Sequence, residues 1–245
     1  MIDVHCHLLP GIDDGPRTMA ESVELARMAV RNGITHAVVT PHIHAGRWNN
    51  DRAGIERLTR EFRQQLAQAG VPLQLGSAAE VRLDAEILPW VEQDRLPFLG
   101  AYDGKRVLLL ELPHSHIPLG AENLIAWLLQ RDILPLIAHP ERNKDVIRKP
   151  DKIRPLIKQG CLLQLTSGAI AGHFGKPAQQ CAHQLLELDA VFVIASDAHN
   201  SGARPPDLVC GRDAASAIVG AERAQKMVST NPMQLVAGQF SYKNS

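Results

Sequence analysis

Two histidines separated by one residue, His5 and His7, open the chain, and a turn carrying Asp13 and Asp14 follows them. Ile2, Val4 and Cys6 alternate with Asp3, His5 and His7. That period of two predicts a short strand with both imidazoles, and Asp3, on one face. Paired imidazoles at a strand end, beside a carboxylate-bearing turn, are donors suited to a metal ion. A lone His-x-His pair is weak evidence. Recurrence strengthens it, because His42, Glu80, Glu111, His139, Asp197 and His199 close or follow further apolar runs.

These residues need elements to position them. Thr18 and Glu21 have capping-box spacing, and the helix they start runs to Gly33. Apolar strands are expected at 34–40, from 71 to Glu80, at 107–112, 134–138, 161–166 and 190–196. Helices are expected at about 51–68, 84–93, 123–131, 150–160 and 177–188, then near 207–219, 221–229 and 232–236. Strand and helix thus alternate about seven times, and most strands are continuous apolar runs, as in a parallel sheet covered by helices. Such strands deliver their C-terminal ends to one rim, whether the sheet closes into a barrel or stays open. No Gly-x-Gly-x-x-Gly follows the first strand, which weakens a dinucleotide-binding reading.

Convergence at one rim gathers His5, His7, Asp14, His42, Glu80, Glu111, His139, Asp197 and His199. Carboxylates this close repel one another unless cations sit between them. The set implies more than one bound ion, and imidazole plus carboxylate without thiolate suits Mn²⁺, Fe or Zn²⁺. Such centres acidify water and clamp oxygens, so hydrolysis is the natural chemistry. Arg142 and Arg204 lie just beyond His139 and His199. A guanidinium fork beside metals matches a phosphate, which points to phosphoester cleavage.

Other residues receive plainer readings. Asp13 reads as a turn former, and Asp3 as a partner orienting one of the imidazoles. His44, His114, His116 and His173 read as solvated loop residues on the ligand-bearing face, His36 and His183 as packed or exposed. Trp48, Trp90 and Trp127 read as core or interface; Trp48, in the loop after His42, is the one placed to stack on an aromatic substrate.

The bulk composition agrees with a metal-dependent enzyme. The chain has 245 residues, 45% of them apolar, and equal numbers of basic and acidic residues, 26 each. One domain, residues 1–245, is the economical reading. Balanced charge argues against a nucleic-acid surface. No apolar run is long enough for a transmembrane segment, and no secretory signal is visible, so a cytoplasmic location is expected. Cys6, Cys161, Cys181 and Cys210 form no Cys-x-x-Cys pair. A cysteine phosphatase is a poor rival: it needs an arginine six residues after the thiolate, and those positions hold Ile12, Ser167, Glu187 and Ser216.

The motifs DVHCHLLPGIDDG, TPHIHAG, AEVR, LLLELP, AHPERN, TSGAIAGHFGK and ASDAHN closely resemble the bacterial PHP-domain (polymerase and histidinol phosphatase) tyrosine phosphatases of capsule and exopolysaccharide clusters. The resemblance runs from about Met1 to Pro206 and implies a distorted (β/α)₇ TIM-like barrel with a Mn²⁺-type centre of two or three ions. It carries metal roles to the nine residues gathered above, phosphate binding to Arg142 and, through an Arg-Pro-Pro shared with some members, to Arg204. His199 counts with both arginines as catalytic. The implied substrate is phosphotyrosine on the cytoplasmic tail of a cognate membrane tyrosine kinase, attacked by a hydroxide bridging the metals. Two rivals are a PHP-type small-molecule phosphomonoesterase, such as a histidinol phosphatase, and a non-catalytic, metal-stabilised binding module.

Overall fold

The apolar runs fold as parallel strands because helices cover them on one side and other strands' side chains meet them on the other. The structure, a computed structural model, describes residues 1–188 and 190–240. Its strands are β1 (Ile2–Cys6), β2 (His36–Val39), β3 (His42–Ile43), β4 (Gln74–Ser77), β5 (Glu80–Arg82), β6 (Gly100–Tyr102), β7 (Lys105–Glu111), β8 (Ile133–Ala138), β9 (Leu162–Thr166) and β10 (Val191–Ala195). The helices are α1 (Met19–Arg31), α2 (Arg52–Gln68), α3 (Ile87–Glu92), α4 (Ala121–Leu129), α5 (Lys144–Arg148), α6 (Arg154–Lys158), α7 (Ser167–Ala171), α8 (Lys176–Leu186), α9 (Val209–Val219), α10 (Ala221–Met227) and α11 (Thr230–Phe240).

Two parallel ladders, β1-β2-β4 and β10-β9-β8-β7-β5-β3, share one ring. β2 bends at Thr40-Pro41 into β3, and β4 bends at Ala78-Ala79 into β5. Proline has no N–H to give a ladder, which explains the first break. Backbone bonds span both bends, from Thr40 N to Cys6 O at 2.8 Å and from Ala78 N to Val39 O at 2.9 Å. The seam between β1 and β10 is tied by Asp197 N to His5 O and His7 N to Ala198 O, both 2.8 Å. The result is the distorted (β/α)₇ barrel of PHP type expected from sequence, its strands being β1, β2/β3, β4/β5, β7, β8, β9 and β10. β6, an antiparallel hairpin partner of β7, was not foreseen.

Inside the ring lies one apolar cluster, including Ile2, Val4, Val38, Val107, Leu109, Leu136 and Val193. α11 closes it with Leu235 and Val236, and Gln239 Nε2 bonds Ser77 O at 2.9 Å and Phe98 O at 3.1 Å. Outside the ring the helices bury one stripe each. α2 shows the pattern, with Ile55, Thr59, Phe62 and Leu66 at near-helical spacing behind an Asp51 cap. The α1 cap is Thr18, whose hydroxyl accepts from Glu21 N at 3.3 Å; the Glu21 carboxylate turns back to Arg17 N at 2.6 Å. The helix expected over 150–160 is split into a 3₁₀ turn, Pro150–Ile153, and α6, with Pro155 at the start of the second piece.

Candidate metal centre

A bulge in β1 decides which side chains reach the mouth of the barrel. β1 pairs with β2 as Ile2–His36 and Asp3–Ala37, but then as Cys6–Val39, so one residue is extra. Ile2 and Val4 therefore face the inner apolar cluster, while Cys6 joins the outer one. The slip turns His5 and His7 inward at the mouth. Asp3 does not share their role. Its carboxylate accepts from Ser196 N at 3.0 Å, Ser196 Oγ at 2.5 Å and His5 N at 3.3 Å, and so fixes backbone rather than an imidazole.

The imidazoles are oriented by other residues. Gln164 Oε1, inside β9, lies 2.8 Å from His5 Nδ1. Asp13 Oδ2 lies 2.7 Å from His7 Nδ1 and also accepts from His42 N at 3.2 Å. Asp13 still shapes its turn, since Oδ1 accepts from Gly15 N at 2.9 Å. Gly15 is obligatory there, because a Cβ would stand 2.5 Å from His7 O. Both Nδ1 atoms being engaged, both Nε2 atoms turn to the mouth, only 3.2 Å apart.

All nine predicted ligand-type side chains meet there. Ligand atoms of His7, Asp14, His42 and His199 lie within 4.8 Å of one another, as do those of His5, His7, Glu80 and Asp197, and those of His42, Glu80 and Glu111. His139 stands beside them, its Nε2 2.6 Å from Glu80 Oε1. His42 and Glu80 are register partners on β3 and β5, so they begin second strand halves rather than end strands. His139 and Asp197 leave β8 and β10 with φ of 31° and 53°, left-handed backbone that is uncommon outside glycine and occurs at functional sites. Asp14 alone is substantially exposed, at 45% of its side chain, and sits at the rim.

The donor set fits divalent cations. Glu80 Oε2, Asp197 Oδ1 and His199 Nε2 are buried without a well-aligned hydrogen bond among the described residues, and face other ligand-type atoms instead, with His42 Nδ1 2.9 Å from Glu80 Oε2 and Asp14 Oδ1 3.2 Å from His199 Nε2. Leaving such atoms unpaired is costly, and cations between them remove that cost. Protonation tells the same story. Burial opposes charge on His5 and His42, yet nearby carboxylates, above all Glu80, raise them to about 9 and about 11. Burial, reinforced by Arg142, lowers His139 to about 3; burial, reinforced by His7, lowers His199 to about 4. Burial opposes ionisation of Glu80 and Asp197, but surrounding imidazoles hold both well below the usual carboxylate range, helped at Asp197 by the arginines. Burial and then the charge of Glu80 raise Glu111. Imidazoles and carboxylates thus share protons where cations would take their place.

Arg142 and Arg204 both reach Asp197 Oδ2, Arg204 Nη2 at 2.5 Å. Arg142 ends a 3₁₀ turn, Pro140–Arg142, and Arg204 closes a loop whose N–H groups converge on Asn200 Oδ1. A cleft of about 180 Å³ carries both arginines on its wall, with Arg47, Arg82, His44 and His114. Arg82, two residues after Glu80, pairs with Glu111 at 2.8 Å. His114 is half exposed in its loop, as expected, and its ring lies parallel to His139, 6.0 Å between centroids at 6°. Trp48 lines the same cleft and is half-buried there. Its indole lies against His42, at 4.5 Å and 12°, and the Arg47 guanidinium sits 3.9 Å from the indole centroid. Trp90 and Trp127 pack against the core, and the His36 ring meets Phe240 edge-on at 4.8 Å.

A parallel barrel with imidazoles and carboxylates crowded at its strand ends is the arrangement expected of a PHP-type barrel. The comparisons narrow the class. The family described as capsular polysaccharide synthesis, CpsB/CapC, matches residues 1–237, and the chain belongs to that family. It is 38% identical over 202 residues to the tyrosine-protein phosphatase YwqE of Bacillus subtilis, covering 82% of this chain and 78% of that protein. It is 28% identical over 248 residues to the tyrosine-protein phosphatase CpsB of Streptococcus pneumoniae, covering 98% of this chain and all (100%) of that one. A crystal structure from work on YwqE and CpsB, described as unique metal-dependent tyrosine phosphatases, superposes with a TM-score of 0.89 at 32% identity, covering 99% and 96% of the two chains. A lactonase from Listeria monocytogenes shares the fold alone, with a TM-score of 0.61 at 13% identity over 96% of this chain and 94% of that one.

Proposed function

We propose that this chain is a metal-dependent protein-tyrosine phosphatase. The observation that carries the reading is the juxtaposition of the ligand cluster with Arg142 and Arg204, which converge on one Asp197 oxygen at the cleft wall. His5, His7, Asp14, His42, Glu80, Glu111, His139, Asp197 and His199 are the proposed metal ligands; all but His139 fall into three groupings that suit two or three ions, and His139 stands beside Glu80. Mn²⁺ is the proposed metal, and Fe or Zn²⁺ is compatible with the same donors. Bound cations supply Lewis acidity, lowering the pKa of a water and neutralising phosphoryl oxygens.

The protein's own residues do the rest. Gln164 and Asp13 fix the tautomers of His5 and His7, and the Asp197 carbonyl, 2.9 Å from Nδ1, does so for His199. Arg142 and Arg204 hold the non-bridging phosphate oxygens and fix the phosphorus in the cleft. A tyrosinate leaves with a pKa of about 10 and needs little proton donation. The proposed protein substrate is the cytoplasmic tail of a membrane tyrosine kinase governing capsule or exopolysaccharide synthesis. Membership of a capsular-polysaccharide family supports that assignment. A cytoplasmic location is in keeping with four unpaired cysteines and with no described helix long and apolar enough to cross a membrane. Residues 1–245 are taken as one catalytic domain.

The test compares turnover of a phosphotyrosine peptide with that of histidinol phosphate in Mn²⁺. The peptide is expected to be the better substrate by kcat/KM. Activity on histidinol phosphate alone would assign the site to small-molecule phosphomonoesters. A well-folded protein that hydrolyses neither would leave the binding-module reading.

A further inference from the structure

The segment Ser167–Gly175 belongs to the TSGAIAGHFGK motif, yet supplies no candidate metal ligand. Its geometry gives it another use. Glu141 Oε1, inside the barrel wall, accepts from Thr166 N at 2.8 Å. That bond ties the turn bearing Arg142 to the start of α7. The helix lasts five residues and ends at Gly172, whose φ is +95°. His173 N bonds back to Gly168 O at 2.8 Å, so the chain folds tightly over its own helix. Phe174 follows, and its ring centroid lies 4.8 Å from Arg142 Cζ.

The segment is anchored from two further sides. Ser167 Oγ accepts from Gly211 N at 3.0 Å, joining α7 to α9, and His183 Nε2 lies 3.0 Å from Ile170 O. Gly168 passes beneath the aromatic ring: a Cβ there would stand 3.1 Å from Phe174 Cε2. The ring therefore rests on bare backbone, and its position is set by that close approach.

We propose that Phe174 is a positioning residue for Arg142, and that the α7 segment exists in this site to hold the ring against the guanidinium. The inference rests on the reading of Arg142 as a phosphate ligand. Arg142 Nη1 meets the Asp197 carboxylate, and its Nη2 is a long 3.4 Å from His114 Nε2. One strong contact leaves a guanidinium free to swing about it. An aromatic face beside the ion restricts the plane of the fork, which is what bidentate phosphate recognition requires. Phe174 takes no part in bond making; it acts through Arg142.

The test uses full-length, Mn²⁺-loaded protein and inorganic phosphate as probe, followed by calorimetry, with metal content and circular dichroism measured for every variant. Phe174→Ala is expected to weaken phosphate binding about tenfold, with metal content unchanged. Phe174→Leu, which keeps apolar bulk without a π face, should behave the same way and serves if the alanine variant does not fold. Phe174→Tyr should restore binding. In an Arg142→Ala background, Phe174→Ala should have no further effect. Unchanged phosphate affinity in folded Phe174→Leu would overturn the proposal, as would a loss that persists without Arg142. Phosphate binding without phosphotyrosine turnover in the unaltered protein would strike the proposed substrate instead, and leave this inference standing.

Discussion

At the floor of the barrel Val4, Val38, Leu109, Leu136 and Val193 share one apolar cluster; at the mouth, within four residues along the same strands, stand His5, His42, Glu111, His139 and Asp197. Hydrocarbon contact is non-directional and tolerates small adjustments. The mouth is the opposite. His5, His7 and His199 there are each held by a named acceptor, and buried carboxylates face one another. Burying those charges opposes folding. The floor supplies the stability that lets the mouth keep an arrangement the chain would otherwise reject.

Substitutions at the two ends should therefore separate activity from stability. At the mouth, His139→Ala is expected to lower phosphotyrosine turnover roughly a thousandfold while the circular dichroism spectrum stays native. At the floor, Leu136→Ala should lower the free energy of unfolding by about 3 kcal/mol in urea titrations, with near-native kcat per folded molecule. A His139→Ala protein with full turnover, or a Leu136→Ala protein that unfolds as the parent does, would erase the distinction.

Between these extremes lie the residues that orient ligands. Gln164→Ala and Asp13→Ala should each weaken Mn²⁺ binding by about tenfold to a hundredfold, and high Mn²⁺ should recover much of the activity. The last effect concerns protons. His5 and His42 carry pKa values raised to about 9 and about 11, so both hold protons at neutral pH until a cation displaces them. Metal binding must then release protons, and affinity must fall as pH falls. Lowering pH from about 7.5 to about 6.5 should cost about tenfold in Mn²⁺ affinity for each proton released. Titration in two buffers of different ionisation enthalpy counts those protons; a count of zero would contradict the shared-proton picture.

Much of this site was legible because ligand types punctuate apolar runs. His139 after LPLIA and Asp197 after AVFVIAS stand out against continuous hydrocarbon, and both lie in the cluster. The strict alternation in β1 was misleading. A bulge inserts one residue, so Val4 and His5 both face inward and Asp3 does not join the imidazoles. Bulges leave little trace in the pattern of a single strand, because the partner's register defines them. Asp13 looked like a turn residue and is one, but its second oxygen serves His7. Gln164 had a signal: it is the one polar side chain between leucines in CLLQLT, and a buried amide needs a partner. Phe174 had only its motif, since its contact with Arg142 depends on two segments meeting in space.

Anomalous diffraction from crystals of the Mn²⁺-loaded protein tests the central claim most directly. Two or three manganese peaks are predicted, each enclosed by one of the groupings that share His7, His42 and Glu80. Manganese found only elsewhere, with His5, Glu80, His139 and Asp197 bonded to one another alone, would contradict the account.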